Sequence, residues 1–168
     1  MSFVEIDILK ENINPFSKIG KEWFLVTAGD IEKFNTMTAS WGFMGVMWNK
    51  NCAITVIRPQ RYTKEFIDNS EYFTMSFFGE ECRDALKFCG ANSGRDCDKM
   101  EKTGLIPVEI ENAVSFEQAE MVLVCKKLYA QEMTEDSFVV KSISDANYQA
   151  GDFHIAYYGE VVKAFVKK

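Results

Sequence analysis

The sequence predicts a mainly β protein with short helices, arranged as an antiparallel barrel with helical excursions. Aromatic residues make up 14% of the chain and include 14 Phe, a composition that favours sheet. Several strand-like segments follow one another with short connections, which favours antiparallel neighbours. The 168 residues contain no internal repeat, low-complexity segment or linker, so we expect a single domain over residues 1–168.

Net charge and hydropathy exclude two classes of partner. The formal net charge of −6 and the pI near 4.9 do not suit a nucleic-acid backbone, which is bound through a basic face. No apolar run approaches the roughly 20 residues that span a bilayer, and the N-terminus is too acidic for a secretory signal. We therefore expect no nucleic-acid partner, no membrane partner and a cytoplasmic location.

The cysteines and the single histidine limit the chemistry further. Five cysteines with no CxxC pair favour reduced, mostly buried thiols over a disulfide framework or a thiolate zinc site. His154 is the only histidine, which excludes a metal site with several histidines. A Ser/His/Asp triad would have to recruit His154 without a GxSxG motif to support it. We therefore expect no metal site.

The first half of the chain reads as three neighbouring strands. "KEWFLVTAG", residues 21–29, is a short strand ended by glycine, and "NCAITVIRP", residues 51–59, is a strand stopped by Pro59. Between them, "FNTMTASWGFMGVMWNK", residues 34–50, alternates small hydroxyl residues with apolar ones before it becomes glycine-rich. It is long enough for one bent strand or for two strands joined at Gly42 or Gly45. Its second half is expected in the core or at a dimer contact, with Trp48 in the core.

The remaining elements alternate helices and strands. Tyr62, Phe66 and Ile67 have helical spacing, and the predicted helix starts near Thr63. A second helix has an apolar face and ends at Gly90, and a third starts at Asp96. The apolar face consists of Cys82, Ala85, Leu86 and Cys89. Residues 72–78 and 156–166 are predicted strands. The periodicity of residues 120–133 fits a helix or a strand, and their β-branched and aromatic content favours a strand.

The first of two basic clusters lies in "RPQRYTKEF". A helix N-terminus offers unpaired N–H groups and the positive end of the helix dipole, so an anion is favoured where side-chain donors converge on it. Arg58, Arg61 and Thr63 supply such donors. The alternative is that Thr63 is an ordinary N-cap and that the arginines are solvated.

The second cluster lies in "NSGRDCDK". Ser93 and Gly94 form a predicted turn in which Gly94 adopts positive φ, while Arg95 and Lys99 share one helix face at i and i+4. The alternative for Arg95 is a salt bridge to a neighbouring aspartate. The chain has no GxxxxGK[ST] and no GxGxxG, so an anion bound here is neither an NTP in a P-loop nor a dinucleotide in a Rossmann turn.

Five blocks, in order and spacing, resemble the flavin reductase-like family, and the closest branch is the flavoredoxins. They are "NTMTASW" (35–41), "RPQRYTKEFI" (58–67), "FTMSFF" (73–78), "CGANSGRDCDK" (89–99) and "LYAQ" (128–131). The resemblance spans about residues 23–161. It implies an FMN-binding split β-barrel of Greek-key type, which is usually a homodimer with the flavin near the subunit interface.

The resemblance also implies a role for sixteen residues. The isoalloxazine and ribityl parts of FMN would contact Asn35, Thr36, Met37, Thr38, Ala39, Ser40 and Trp41. The phosphate side would contact Arg58, Arg61, Tyr62 and Thr63, and the anion site would be completed by Ser93, Gly94, Arg95 and Lys99. His154 would lie near the reactive edge of the flavin, as the only candidate catalytic residue.

The implied function is electron or hydride transfer through bound FMN, because the flavin performs the chemistry and the protein supplies binding and electrostatics. A reductase would use NAD(P)H, whereas a flavoredoxin would exchange electrons with a redox protein such as ferredoxin, and the sequence does not choose between them. The alternatives are a flavin-binding module without turnover, an FMN-dependent oxidase on the related pyridoxamine-phosphate oxidase barrel, and a purely structural protein.

Overall fold

The computed structural model describes residues 2–168. The ten strands are β1 (Phe3–Ile6), β2 (Phe24–Gly29), β3 (Phe34–Ala39), β4 (Gly42–Met47), β5 (Lys50–Ile57), β6 (Tyr72–Phe77), β7 (Pro107–Ile110), β8 (Ala113–Phe116), β9 (Met121–Glu132) and β10 (Ile155–Lys167). The α-helices are α1 (Pro15–Ser17), α2 (Thr63–Asn69), α3 (Arg83–Ala91), α4 (Lys99–Thr103) and α5 (Lys141–Asn147). A π-helical turn covers Lys18–Glu22, and 3-10 turns cover Ile8–Lys10, Glu80–Cys82 and Glu135–Ser137.

Eight strands form one antiparallel sheet in the order β3-β2-β6-β9-β10-β5-β4, with β1 paired to β10. The 13-residue β10 joins the parts of the sheet, because it pairs with β9 over most of its length, with β5 near its start and with β1 near its end. The second sheet is the hairpin of β7 and β8. The predicted mainly β, antiparallel architecture with short helices is therefore confirmed.

Two apolar clusters flank the large sheet. One surrounds Phe24, Phe73 and Tyr157, and the other lies beneath α3 and the small hairpin, around Leu86 and Phe116. Each of these side chains is at most 2% exposed, so the strands that carry the four aromatic residues have little freedom to slide in register. The predicted apolar face of α3 is confirmed, since Cys82, Leu86 and Cys89 are buried and Ala85 is partly buried.

The strand predictions are correct in type and differ in extent. Lys21 and Glu22 belong to the π-helical turn, and Trp23 then takes φ 67°, so β2 begins only at Phe24. Residues 34–50 form two strands that turn near Gly42, and they lie at opposite ends of the sheet order because β3 pairs with β2 and β4 pairs with β5.

Two helix boundaries differ from the prediction. The helix predicted to start at Asp96 starts at Lys99, because the Asp98 carboxylate caps it by accepting from the N–H groups of Met100 and Glu101. The helix predicted to end at Gly90 continues to Ala91. Sequence analysis missed β1, α1, the β7–β8 hairpin and α5 altogether.

Trp48 is not a core residue. It is 53% exposed, has φ 52° in a turn and packs only partly, with ring centroids 5.8 Å from those of Tyr129 and Tyr158. With Phe43 and Val46, it leaves much of the β4 hairpin apolar and exposed. All five cysteines are free thiols, and four of them are buried. Within residues 2–168, no helix is long and apolar enough to cross a membrane.

Candidate functional site

The sixteen residues singled out from the sequence line three adjoining cavities between β3, α2 and the loop before α4. The outer cavity, of about 600 Å³, includes Asn35, Thr36, Tyr62, Gly94, Arg95 and Lys99. The inner polar cavity, of about 130 Å³, includes Asn35, Met37, Arg61, Tyr62, Thr63, Ser93, Gly94 and Lys99. The tryptophan cavity, of about 210 Å³, includes Met37, Thr38, Ala39, Ser40, Trp41, Arg58, Arg61 and His154. Shared residues link them in a row.

The inner polar cavity is held together by Asn35 and Thr63. The Asn35 amide donates to the Thr63 hydroxyl at 2.7 Å, so Thr63 is used to join β3 to α2. Thr63 is the first residue of α2, and no side-chain cap precedes it. Gly94 is required here for close approach, because a Cβ on it would lie 2.1 Å from the Asn35 side-chain oxygen. The predicted positive φ at Gly94 is wrong, since the positive-φ glycines are elsewhere.

The start of α2 has fewer free donors than the sequence suggested. The N–H groups of Lys64 and Glu65 already donate to main-chain carbonyls at 3.0 and 3.1 Å. The helix has only seven residues, so its dipole is small as well. An anion in this region would therefore depend on side chains more than on the helix N-terminus.

The two cations next to the inner polar cavity have no carboxylate partner among the described residues. Arg61 donates to the Gly90 carbonyl at 2.9 Å, and Lys99 donates to the carbonyls of Thr36 and Cys89 at 2.7 and 3.0 Å. Lys99 is only 5% exposed, and burial lowers the pKa of its ammonium to about 8. Burial also lowers the pKa of Arg61.

The other two cations are neutralised by the protein itself. Arg95 pairs with Glu65, and its guanidinium lies over the Tyr62 ring at 4.5 Å. Arg58 pairs with Asp152 at 2.6 Å and donates to the Asn147 carbonyl at 2.9 Å. The predicted shared helix face of Arg95 and Lys99 is therefore wrong, because Arg95 precedes α4 and faces α2.

The hydroxyl row of β3 is used mainly inside the protein. Thr36 is 1% exposed and its hydroxyl is 2.8 Å from that of Thr27 on the neighbouring strand. The Thr38 hydroxyl donates to the Leu86 carbonyl on α3, at 2.5 Å. Ser40 is the only one of the three hydroxyls that has no hydrogen-bond partner within residues 2–168.

His154 lies at the far wall of the tryptophan cavity. It is 8% exposed, its Nδ1 is 2.8 Å from the Tyr148 hydroxyl, and its ring centroid is 5.3 Å from that of Trp41. Burial, and after it the positive charge of Arg58, lowers the pKa of the imidazole to about 4. His154 is therefore neutral at pH 7 and can accept or donate a hydrogen bond without carrying a charge.

Sequence analysis missed the residues that fix this wall. Asp152 holds Arg58, Tyr148 contacts His154, and both come from the 133–153 segment, which has no periodic pattern. The carboxylate of Asp152 also accepts from the Gln60 amide at 2.8 Å. Asp152 and Tyr148 pair with residues more than five positions away in the chain, beyond the spacing of local sequence patterns. The sequence therefore indicates neither residue.

A sequence model described as a flavin reductase like domain matches residues 16–168, which is most of the chain. The chain belongs to the flavin reductase-like family. No curated protein matches the sequence. Membership of this family supports a redox function with a bound flavin and agrees with the resemblance of the five sequence blocks.

Solved structures share the fold at low sequence identity. Flavoredoxin of Desulfovibrio vulgaris (Miyazaki F) is 18% identical, with a TM-score of 0.69 over 98% of this chain and 78% of its own. An FMN-binding protein from Thermus thermophilus, with bound p-hydroxybenzaldehyde, is 20% identical, with a TM-score of 0.68 over 87% and 71%. An NADH:FAD oxidoreductase from Streptomyces globisporus, in complex with NAD and FAD fragments, is 18% identical, with a TM-score of 0.65 over 87% and 74%. The fold of this chain is therefore the split barrel of flavin reductase-like proteins.

Proposed function

We propose that this protein binds FMN along the row of cavities and transfers electrons or a hydride through it. The observation that carries the proposal is the polarity of the row in a member of the flavin reductase-like family. Arg61 and Lys99, which have no carboxylate partner among residues 2–168, line the inner polar cavity. Trp41 and the neutral His154 line the tryptophan cavity next to it, which Arg61 also borders. FMN has the same polarity, with a phosphate at one end and a flat ring at the other.

The donor set at the inner polar cavity fits a phosphate. Arg61 and Lys99 donate only to neutral carbonyls, so a phosphate would be their first anionic partner. A phosphate beside Lys99 would favour its charged form and raise its pKa from about 8. The Ser93 hydroxyl, which accepts from the Arg95 N–H at 3.2 Å, lines the same cavity and retains its own proton to donate.

The residues of the tryptophan cavity fit the flavin ring. The Trp41 indole offers a flat wall, and residues 37–40 line the cavity beside it. The pairing of Arg58 with Asp152 leaves little net charge beside His154. When bound, FMN would supply the hydride and electron chemistry, so these residues need only bind and orient it and exclude water.

The donor and the assembly complete the proposal. NAD(P)H or a redox protein such as ferredoxin would deliver electrons to the bound FMN. A homodimer is supported by the exposed apolar hairpin of β4, whose outer edge is unpaired among residues 2–168, and which carries Phe43, Val46 and Trp48. The five free thiols support a reducing cytoplasmic compartment.

The test is a comparison of three flavins. The purified flavin-free protein is titrated with FMN, FAD and riboflavin and then mixed anaerobically with NADH, NADPH or reduced ferredoxin. Lys99→Met should lower the affinity for FMN by about 10- to 100-fold, since a charge-assisted hydrogen bond contributes about 1.5–3 kcal/mol. It should lower the affinity for riboflavin, which has no phosphate, much less. Lys102→Met, at an exposed position of the same helix, is the control. A protein that takes up no flavin, or equal losses for FMN and riboflavin, would contradict the proposal.

A further inference from the structure

A fourth cavity, here called the apolar cavity, lies on the other side of Trp41 and has a volume of about 460 Å³. It is lined by α1 and the π-helical turn after it, by the start of β4 and the residues before it, by β5 and by the residue after β9. Its lining residues are Pro15, Phe16, Ile19, Gly20, Ser40, Trp41, Gly42, Phe43, Met44, Val56 and Met133. None of these residues is ionisable. Such a cavity gives a charged group no compensation for the water it would lose.

The apolar cavity adjoins the tryptophan cavity. Ser40, Trp41 and Val56 line both it and the tryptophan cavity. Trp41 is 47% exposed, so its ring separates the two spaces without being buried in either. A molecule in the apolar cavity would therefore lie within one side chain of the group bound in the tryptophan cavity.

Phe16 indicates that the cavity is built for an apolar occupant. Its side chain is 88% exposed on the three-residue α1, which Asn14 caps by accepting from the N–H groups of Phe16 and Ser17. The cap fixes the position of Phe16 at the rim, although the side chain buries little apolar area there. An apolar ligand would cover it and gain about 25 cal/mol for each Å² of apolar surface removed from water.

Two side-chain donors belong to residues that line both the apolar cavity and the tryptophan cavity. Neither the Ser40 hydroxyl nor the Trp41 indole N–H has a hydrogen-bond partner in the described part of the chain. An indole N–H can only donate, and a hydroxyl can donate to a carbonyl oxygen. A small number of donors in an apolar cavity selects a ligand with a matching acceptor.

We propose that the apolar cavity binds an uncharged planar quinone, whose carbonyl oxygen accepts from Ser40 or Trp41. The role of the quinone as the second reactant of the flavin site rests on the proposed function. The binding itself requires no flavin, because every residue of the apolar cavity is in place without one. The diphosphate of a nicotinamide dinucleotide would have to lie outside the apolar cavity.

The test is the binding of naphthoquinone to the flavin-free protein, followed by tryptophan fluorescence and by calorimetry. Naphthoquinone sulfonate has the same ring with a charge and should bind at least about tenfold more weakly. Gly20 lines the apolar cavity, and a Cβ added to it meets no atom within 4 Å. Gly20→Phe should therefore occupy part of the cavity and lower the affinity for naphthoquinone by about tenfold or more.

Gly45→Phe is the matched control. Gly45 also has nothing within 4 Å of an added Cβ, and it lies outside the apolar cavity. This variant should bind naphthoquinone within about twofold of the parent protein. Ser40→Ala should weaken the quinone and leave naphthalene, which has no carbonyl, unchanged.

Three outcomes would overturn the inference: no quinone binding, equal binding of the sulfonate, or equal effects of the two glycine substitutions. A dimer that excludes naphthoquinone would also overturn it, because a second copy would then be the occupant. Quinone binding by a protein that takes up no flavin would refute the proposed function and leave the apolar cavity assigned. Flavin uptake without quinone binding would support the proposed function and refute the assignment of the apolar cavity.

Discussion

Acidification should destabilise this protein through its single histidine, in a pH range where its carboxylates contribute little. His154 is 8% exposed, and burial, followed by the positive charge of Arg58, lowers the pKa of its imidazole to about 4 from an ordinary value of 6.5. The unfolded chain therefore binds a proton between pH 6.5 and pH 4 that the folded chain does not bind. In this window the free energy of unfolding falls as the pH falls.

The magnitude follows from the difference between the two pKa values. One pKa unit corresponds to about 1.4 kcal/mol. At a pH low enough to protonate His154 in both the folded and the unfolded chain, the free energy of unfolding is therefore lower by about 3 kcal/mol from this residue alone. Between pH 7 and pH 5 the expected loss is about 2 kcal/mol. The carboxyl groups with a perturbed pKa, Asp68 and Asp152, have it lowered from 3.8, so they act below pH 5.

The assay is urea unfolding at pH 5, 6 and 7, for the parent protein and for His154→Asn, monitored by tryptophan fluorescence. Between pH 7 and pH 5, the free energy of unfolding of the variant should fall by about 2 kcal/mol less than that of the parent. This difference does not depend on how stable the variant is at pH 7. Because the chain has one histidine, proton NMR reads its titration directly. A midpoint near 6.5 for the folded protein, or parallel pH profiles for the two proteins, would refute the reasoning.

Two further predictions concern the core. Thr55→Val should raise the free energy of unfolding by about 1 kcal/mol, because the Thr55 hydroxyl is buried without a partner; Thr74→Val should lower it, because that hydroxyl donates to a carbonyl at 2.6 Å. Urea unfolding of both variants checks this, and a loss at Thr55 as large as at Thr74 would contradict it. Gly159→Ala should lower stability by about 1–3 kcal/mol, because the new Cβ would lie 2.6 Å from Cys125. Gly45→Ala, in open space, should be neutral in the same melts, and equal effects at the two glycines would count against the packing argument.

The sequence predicted the long strands from their apolar, β-branched and aromatic content. Residues 72–78 and 120–133 are examples, and β6 and β9 lie within one or two residues of these limits. The start of α4 was wrong because "RDCDK" offers two aspartates as caps, and only the structure shows that Asp98 accepts the two N–H groups. The β7–β8 hairpin was missed because each strand has four residues, too few for a periodic pattern.

The hydroxyl residues of β3 show a second limit. Alternation of small polar and apolar residues indicates one buried face and one face in contact with solvent or a ligand. In the structure α3 packs against β3 and accepts from the Thr38 hydroxyl at the Leu86 carbonyl, while the Thr36 hydroxyl bonds to Thr27 and the Val26 carbonyl on the neighbouring strand. The sequence of a strand does not indicate whether a helix packs against its polar face. The candidate site was found for a different reason, because its residues occur in contiguous blocks.

Charge compensation is the part of the site that sequence leaves undetermined. Sequence analysis named four cations as donors to an anion, and the structure leaves two of them without a carboxylate among residues 2–168. Arg58 and Arg95 pair with acidic residues 94 and 30 positions away, distances over which no pattern could have matched them. Arg61 and Lys99 remain available, and both line the inner polar cavity. This asymmetry would orient a bound ligand with its anionic group at Lys99 and its flat ring at Trp41, an orientation that four equivalent cations would not impose.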